Sequence, residues 1–427
     1  MATTYLSRTS GTPTDSKKTT LSVWLKRSGL GTGTFFGGGA DSNNMTFINF
    51  NPNGKIFLQS SSSGSNTLVF VTTQVFRDTS AWYHIVVAID TTQGTASNRV
   101  KLYVNGVQVT AFDTETQPSQ NLELEWNKSG KTLEIGKYLF QSTYSLYDGS
   151  MSYVSFVDGT QELPTVFGET DSTTGEWKIK TDITPSVAWG NNGFLILKNG
   201  NSLTDESSNS NNFTLGGGTL TETKDCPDNV FCVLNDLDTT RVLSNGNTTY
   251  AGDASGTVVK GTLGMLSGKY YAECKILSAA QNMIGVLSIA QAPTTVFVGA
   301  SAVGWGLFGD GTLYNNSSAT SNFSNSFSDN DIMGIALDMD NNKLYFSKNG
   351  VFLYSGDPTS GATGTGATSI TSGLTMTFCG GRDNTSDTAN FNFGNGYFGT
   401  TAVTTNSGNG YAGTDGKSIF NYQPPTG

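Results

Sequence analysis

One histidine occurs in 427 residues, and the catalytic chemistry open to the chain narrows around it. His84 stands between Tyr83 and Ile85, where a polar stretch gives way to an apolar run, so any Ser-His-Asp relay would have to draw on a side chain at a strand start. No Gly-x-Ser-x-Gly elbow accompanies it, and a core or rim position is the expected role. Paired carboxylates are the next option. Glu123 and Glu125 flank Leu124 and point one way if Leu122 to Trp126 is extended, yet no further acid follows on that face as a glycanase strand requires, so a solvated acidic face is expected. Asp41, Asn43 and Asn44 gather hard oxygen donors of the kind calcium takes, the one cofactor these loops could hold, but the same residues are ordinary turn formers. The glycines of 31–39 and of Gly304-Trp305-Gly306 open no helix and precede no Gly-Lys-Ser or Gly-Lys-Thr. They serve bends and close sheet approach rather than phosphate binding.

Recognition by contact asks for different residues: flat aromatics beside amides and hydroxyls on rigid loops. The run from Tyr138 to Tyr147 meets that description best, with Tyr138, Phe140, Tyr144 and Tyr147 as candidate binding residues. The same rings could equally pack against a neighbouring subunit. Asn315, Asn316 and Phe323 are the corresponding candidates downstream.

The elements that must position these residues are strands. Ile85 to Ile89 is a β-branched run closed by Asp90, and Val100, Leu102 and Val104 alternate with Lys101 and Tyr103 until Asn105-Gly106 turns the chain, a dipeptide that tolerates the positive φ of a type I′ turn. A second copy of this pattern follows far downstream in Ile332 to Asp338, Leu344 to Phe346 and Asn349-Gly350. Two all-β domains are therefore expected. In the first, Leu21 to Lys26, Phe47 to Phe50, Lys55 to Leu58 and Leu68 to Val71 carry the antiparallel signal, and Gly31 to Gly39 reads as a bend. Residues 1–18 read as an arm that docks elsewhere, residues 161–230 as an extended connector too rich in Trp and Phe to be a free linker, and residues 231–427 as the second domain with a C-terminal tail.

The motifs Ser22-Val23-Trp24-Leu25, Trp82 to Val86, Leu102 to Gly106, Leu133 to Gly136 and Tyr147-Asp148-Gly149 make residues 19–160 resemble the laminin-G or concanavalin-like jelly rolls. That likeness implies a two-sheet sandwich that binds glycans or proteins, sometimes through calcium. Tyr270 to Cys274, Val303 to Leu307 with Gly309-Asp310-Gly311, Gly334 to Asp338, and Asn392-Phe393-Gly394 resemble a SPRY sandwich, with Gly306-Leu307 departing from the usual polar-aromatic pair, so no binding preference carries over. The connector, through Asp205-Glu206-Ser207-Ser208-Asn209, resembles those of tailed-bacteriophage virion proteins. The resulting fold class is all-β: two antiparallel β-sandwiches, concanavalin-like then SPRY-like, joined by an extended connector.

Composition bounds the rest. A net charge of -10 and the lack of any Lys/Arg cluster exclude a nucleic-acid surface. Four cysteines are too sparse for a disulfide frame, and Cys226 and Cys232 lack the second close pair of a zinc site, so buried thiols are expected. No signal-peptide pattern follows Met1 and no apolar run spans a bilayer, so synthesis in a cytoplasm without membrane insertion is expected. With the phage resemblance, the expectation is a non-enzymatic virion protein of the tail-fibre or adhesion kind, assembled in the host cytoplasm. Its partners would be other virion proteins and a host surface glycan or receptor, and it would form a homo-oligomer, a trimer by preference, that gains avidity. The alternatives are a capsid-surface or head-fibre decoration protein and, further off, a glycan depolymerase.

Overall fold

The computed structural model describes residues 3–138, 146–252, 257–279, 282–292, 297–320, 326–382, 386–404 and 410–426. Two compact units divide the chain, one of Met1–Glu222 with Cys226–Asp228, the other of Thr223–Asp225 with Asn229–Gly427.

The strands of the first unit are, in chain order, β1 (Tyr5–Thr9), β2 (Lys18–Arg27), β3 (Gly33–Asp41), β4 (Asn44–Phe50), β5 (Ile56–Ser62), β6 (Ser65–Thr72), β7 (Trp82–Asp90), β8 (Val100–Val104), β9 (Val107–Gln108), β10 (Phe112–Thr116), β11 (Thr132–Ile135), β12 (Gly149–Asp158), β13 (Gly168–Thr170), β14 (Trp177–Ile179), β15 (Phe194–Ile196) and β16 (Thr214–Gly217). They build one sheet in the order β10-β6-β5-β4-β3-β11-β1-β16 and a facing sheet β15-β12-β2-β7-β8-β9, with β13-β14 as a separate hairpin. Alternation sets the core: Leu21, Val23 and Leu25 of β2 and Ile85, Val87 and Ile89 of β7 point at Phe36, Ile48, Leu58 and Leu68 across the sandwich.

The other face of β2 and β7 is buried too. Val86, Ala88, Tyr103 and Val157 lie under Phe167, Ile183, Val187 and Trp189, while Trp24 and Trp82 lie under Ile179. That second cover explains why β7 reads as an unbroken apolar run rather than an alternating one. Its source is the expected connector, which is part of the first unit: β15 extends the six-stranded sheet through β12, and β16 adds to the eight-stranded sheet through β1.

Two further expectations change. Within the arm expected over 1–18, β1 is an interior strand, with Leu6 opposite Ile135 on one side and Leu215 on the other. The expected glycine bend at 31–39 is largely strand β3. Its glycines answer to packing, since a Cβ on Gly38 would lie 2.6 Å from the Leu133 side chain and 3.0 Å from the Trp126 backbone. The asparagine-glycine turns hold, with φ of 47° and 79° at Asn105 and Gly106 and of 49° and 83° at Asn349 and Gly350.

The second unit adds β17 (Leu243–Ser244), β18 (Thr249–Tyr250), β19 (Val259–Lys260), β20 (Lys269–Ser278), β21 (Met283–Ser288), β22 (Gly304–Phe308), β23 (Leu313–Asn315), β24 (Ser318–Thr320), β25 (Ile332–Asp338), β26 (Lys343–Lys348), β27 (Val351–Phe352), β28 (Thr368–Ser369), β29 (Met376–Gly380), β30 (Thr388–Asn392), β31 (Tyr397–Phe398), β32 (Thr401–Ala402), β33 (Tyr411–Ala412) and β34 (Ile419–Phe420). One sheet runs β17-β18-β30-β20-β25-β26-β27, with β28 also on β26, and faces β19-β29-β21-β22-β23-β24. Ala272, Cys274, Ile276, Met333, Ile335, Leu344 and Phe391 meet Ile284, Val286, Trp305 and Phe378 between the sheets. Gly285 and Gly306 permit that closeness: a Cβ on either would come within 1.9 Å and 2.1 Å of the carbonyls of Trp305 and Val298. Buried Arg241 and Asp387 pair at 2.9 Å at one end of this core.

Candidate functional site

His84, on β7, is wholly buried and sandwiched between Trp24, at 4.6 Å between ring centres, and Trp177 of β14, at 5.9 Å. The Trp177 indole N–H donates to Nδ1 at 2.9 Å, so the imidazole proton sits on Nε2 and donates to Ser22 Oγ at 2.8 Å. Burial pushes the pKa down to about 3. The Ser22 hydroxyl thus faces a donor rather than a base, and the pair cannot generate a nucleophile.

The expected acid pair is not on a strand. Glu123 is exposed and accepts from Ser16 Oγ, whereas Glu125 begins a short 3₁₀ turn, is buried and is neutralised by Lys128 and Lys131. Asp41, Asn43 and Asn44 do come together, in the β3–β4 hairpin. The Asp41 carboxylate accepts from the Asn43 N–H at 2.8 Å and the Asn44 amide at 3.0 Å, and those bonds hold its pKa below the usual range. Asn44 Oδ1 is taken by the Ser63 N–H at 3.0 Å, so one carboxylate faces two amide donors, a turn geometry rather than a calcium cage. Among the described residues, no group of three or more His, Cys, Asp or Glu side chains is placed to hold a metal.

The aromatic candidates are corrected in part. Tyr138 and Tyr147 are 5% and 6% exposed, so neither presents a ring. Tyr138 stacks on Phe47 at 4.7 Å, and burial pushes its pKa up to about 12. Tyr147 donates its hydroxyl to the Lys26 carbonyl at 2.8 Å inside the core. The sandwich takes both because a tyrosine buries its ring as readily as a phenylalanine when the hydroxyl finds a partner. Phe140, Tyr144 and Phe323 lie outside the described residues. Asn315 donates its amide to the Gly304 carbonyl at 2.8 Å, and Asn316, at φ 52°, forms the β23–β24 turn, so both serve the hairpin. Cys274 and Cys379 are buried thiols whose pKa burial pushes up, while Cys226 and Cys232 are half-buried.

A concave site exists where no candidate was named, in the second unit. Beside the start of β20 lies a cavity of about 390 Å³, within the span of roughly 300–1,000 Å³ typical of ligand sites. Tyr271 on β20, Ala336 on β25 and Tyr345 on β26 stand side by side in register and supply one wall. Gly334 lets the Tyr271 hydroxyl swing away from Ala336, because a Cβ there would sit 2.7 Å from that oxygen. Phe231, Phe393 and Tyr270 supply a second wall, and Phe420, Pro424 and Pro425 of the tail a third. Val230 and Leu263, 56% and 44% exposed, form an apolar rim.

The tail is fastened by a buried acid. Glu273 accepts the Asn421 and Tyr422 N–H groups at 2.7 and 2.8 Å, and Phe420 packs edge-on against Tyr271 at 5.0 Å. Burial outweighs those donors and raises the Glu273 pKa to about 7. The only sequence signals for this site were the Tyr270-Tyr271 pair and the terminal Pro424-Pro425, neither of which announces a cavity.

Residues 2–159 match the model of the concanavalin A-like lectin/glucanases superfamily, and residues 269–395 that of the SPRY domain. No curated protein matches the chain. Among solved structures, it is similar to the SPRY domain of human HERC1 at 16% identity, covering 37% of this chain and 96% of that one with a TM-score of 0.30. A heptameric SAP-like pentraxin from Limulus polyphemus is similar at 18% identity over 37% and 71% of the two chains, with a TM-score of 0.29. The TRIM65 PSpry domain is similar at 14% identity over 38% and 91%, also at 0.29. The chain thus carries a concanavalin-like domain followed by a SPRY domain, two kinds of sandwich that typically bind rather than catalyse.

Proposed function

We propose that the protein is a non-catalytic recognition protein, of the tail-fibre or adhesion kind suggested by its connector, and that the cavity of its SPRY domain is the contact site. The observation that carries this reading is the cavity itself, aromatic-walled and rimmed by exposed Val230 and Leu263. Other candidate chemistry is engaged internally: His84 between two hydrogen bonds, Glu125 between two lysines, Asp41 in its turn. An exposed apolar rim beside an aromatic-walled cavity favours contact with something outside the chain.

The test compares the full chain with a Val230→Asp, Leu263→Asp variant for binding to bacterial cells and to a glycan array, after circular dichroism has shown the variant folded. Both side chains are exposed, so each change should alter stability by no more than about 0.5 kcal/mol. Binding by the native chain that falls at least tenfold in the variant is expected. Equal binding by a folded variant sinks the reading.

A further inference from the structure

The cavity has an unfinished sheet edge in its wall. The Ile276 N–H donates to the Asp331 carbonyl, and the Met339 N–H to the Gly268 carbonyl, so even-numbered residues of β20 turn their backbone groups toward β25. Odd-numbered residues therefore face β30. Glu273 is opposite Asn392 there, but β30 ends at that residue. The next rung would join Tyr271 to Gly394, whose N–H is taken by Asn392 Oδ1 at 2.9 Å and whose carbonyl is taken by the Ile419 N–H at 2.8 Å. Among the described residues nothing else pairs with the Tyr271 or Lys269 backbone on that side. Two rungs of donors and acceptors are left open beside the cavity, where most backbone groups near a protein interior find partners.

We infer that the ligand of this cavity is an extended peptide segment of a partner protein, which enters as one more strand beside residues 269–271 and completes the interrupted sheet. This rests on the reading of the cavity as the contact site and names what fills it. Main-chain hydrogen bonds to Tyr271 and Lys269 give the segment its grip, and the pleat sends its alternate side chains inward. Inward means toward Phe231, Leu337 and Phe393, so apolar residues are selected at every second position.

Displayed random linear peptides selected on the full chain provide the probe. The best binders are resynthesised with single backbone N-methyl groups, and exchange of the Lys269 and Tyr271 amides is followed with and without peptide. Expected are binders apolar at alternate positions, a loss of at least tenfold on methylation at every second residue only, and slowed exchange at both amides. Binders that tolerate methylation throughout, or leave both amides unprotected, overturn the inference. Failure to select any peptide, with cell or glycan binding still lost in the rim variant, overturns it and leaves the contact site standing. Failure of both removes the two readings together.

Discussion

The imidazole of His84 donates its single proton to Ser22 and accepts one from Trp177, with no charged group against it among the described residues. Its pKa, about 3 folded against an unperturbed value near 6.5, means that the unfolded chain takes up the proton first as pH falls. The stabilisation is complete above pH 6.5 and is lost as pH drops from there toward 3. Urea titrations of the native chain between pH 7 and 4 should show this loss, and in His84→Phe it should vanish. That substitution leaves the Trp177 donor and the Ser22 acceptor unpaired and should cost roughly 2–4 kcal/mol at pH 7. In the other domain, Asp387→Ala strands the buried Arg241 guanidinium and should cost about 3–5 kcal/mol by the same titration. The sequence pointed to a core or rim role for His84, from its place at a strand start, and the side chain is indeed buried. It could not show the Trp177 cover, because a residue 93 positions away leaves no local pattern. Tyr138 and Tyr147 misled for the complementary reason: aromatic density marks a loop and a core alike until the neighbouring strands are placed.

Strand β1 illustrates what local pattern hides. Tyr5–Thr9 is short, polar and flanked by Thr and Ser, and only its pairing with β11 and β16 makes it sheet. A removable arm and an interior strand predict different behaviour. Deleting residues 1–10 exposes two strand edges and the Leu6 site, so the melting temperature should fall by several degrees and the protein should self-associate; an unchanged melt would restore the arm. The buried Glu273 carries a prediction of opposite pH sign to that of His84. Burial raises the Glu273 pKa to about 7 in the folded chain against about 4.5 unfolded, so its contribution to folding is complete below pH 4.5 and is lost as pH rises through 7. At roughly 1.4 kcal/mol per unit the change is about 3 kcal/mol, visible as a lower urea midpoint for the second domain at pH 8 than at pH 5. The hairpins at Asn105-Gly106 and Asn349-Gly350 were legible in the sequence because their turn chemistry is local. The cavity was not, because it arises where a strand stops one rung early.

Two sandwiches with separate cores make two accounts of stability. The His84→Phe and Asp387→Ala costs should add within about 0.5 kcal/mol in the double variant, each moving its own unfolding transition in calorimetry. At this scale the sequence was most informative: the repeated strand-turn unit counted the domains, and alternation gave their class. Its error was the border, since residues 161–222 belong to the first domain as cover for a face that would otherwise lie bare. The way that domain closes bears on how it would behave under load. β1 runs antiparallel to the edge strand β16, with Tyr5 opposite Gly217, and the Thr4 hydroxyl and the Thr219 backbone exchange hydrogen bonds just beyond. The two ends of the domain therefore leave from one corner. Tension between them acts across the ladder and opens it like a zip, one rung at a time, rather than shearing all rungs together. In an optical trap the domain should yield first by releasing β16 at low force, lengthening the tether while the inner strands hold.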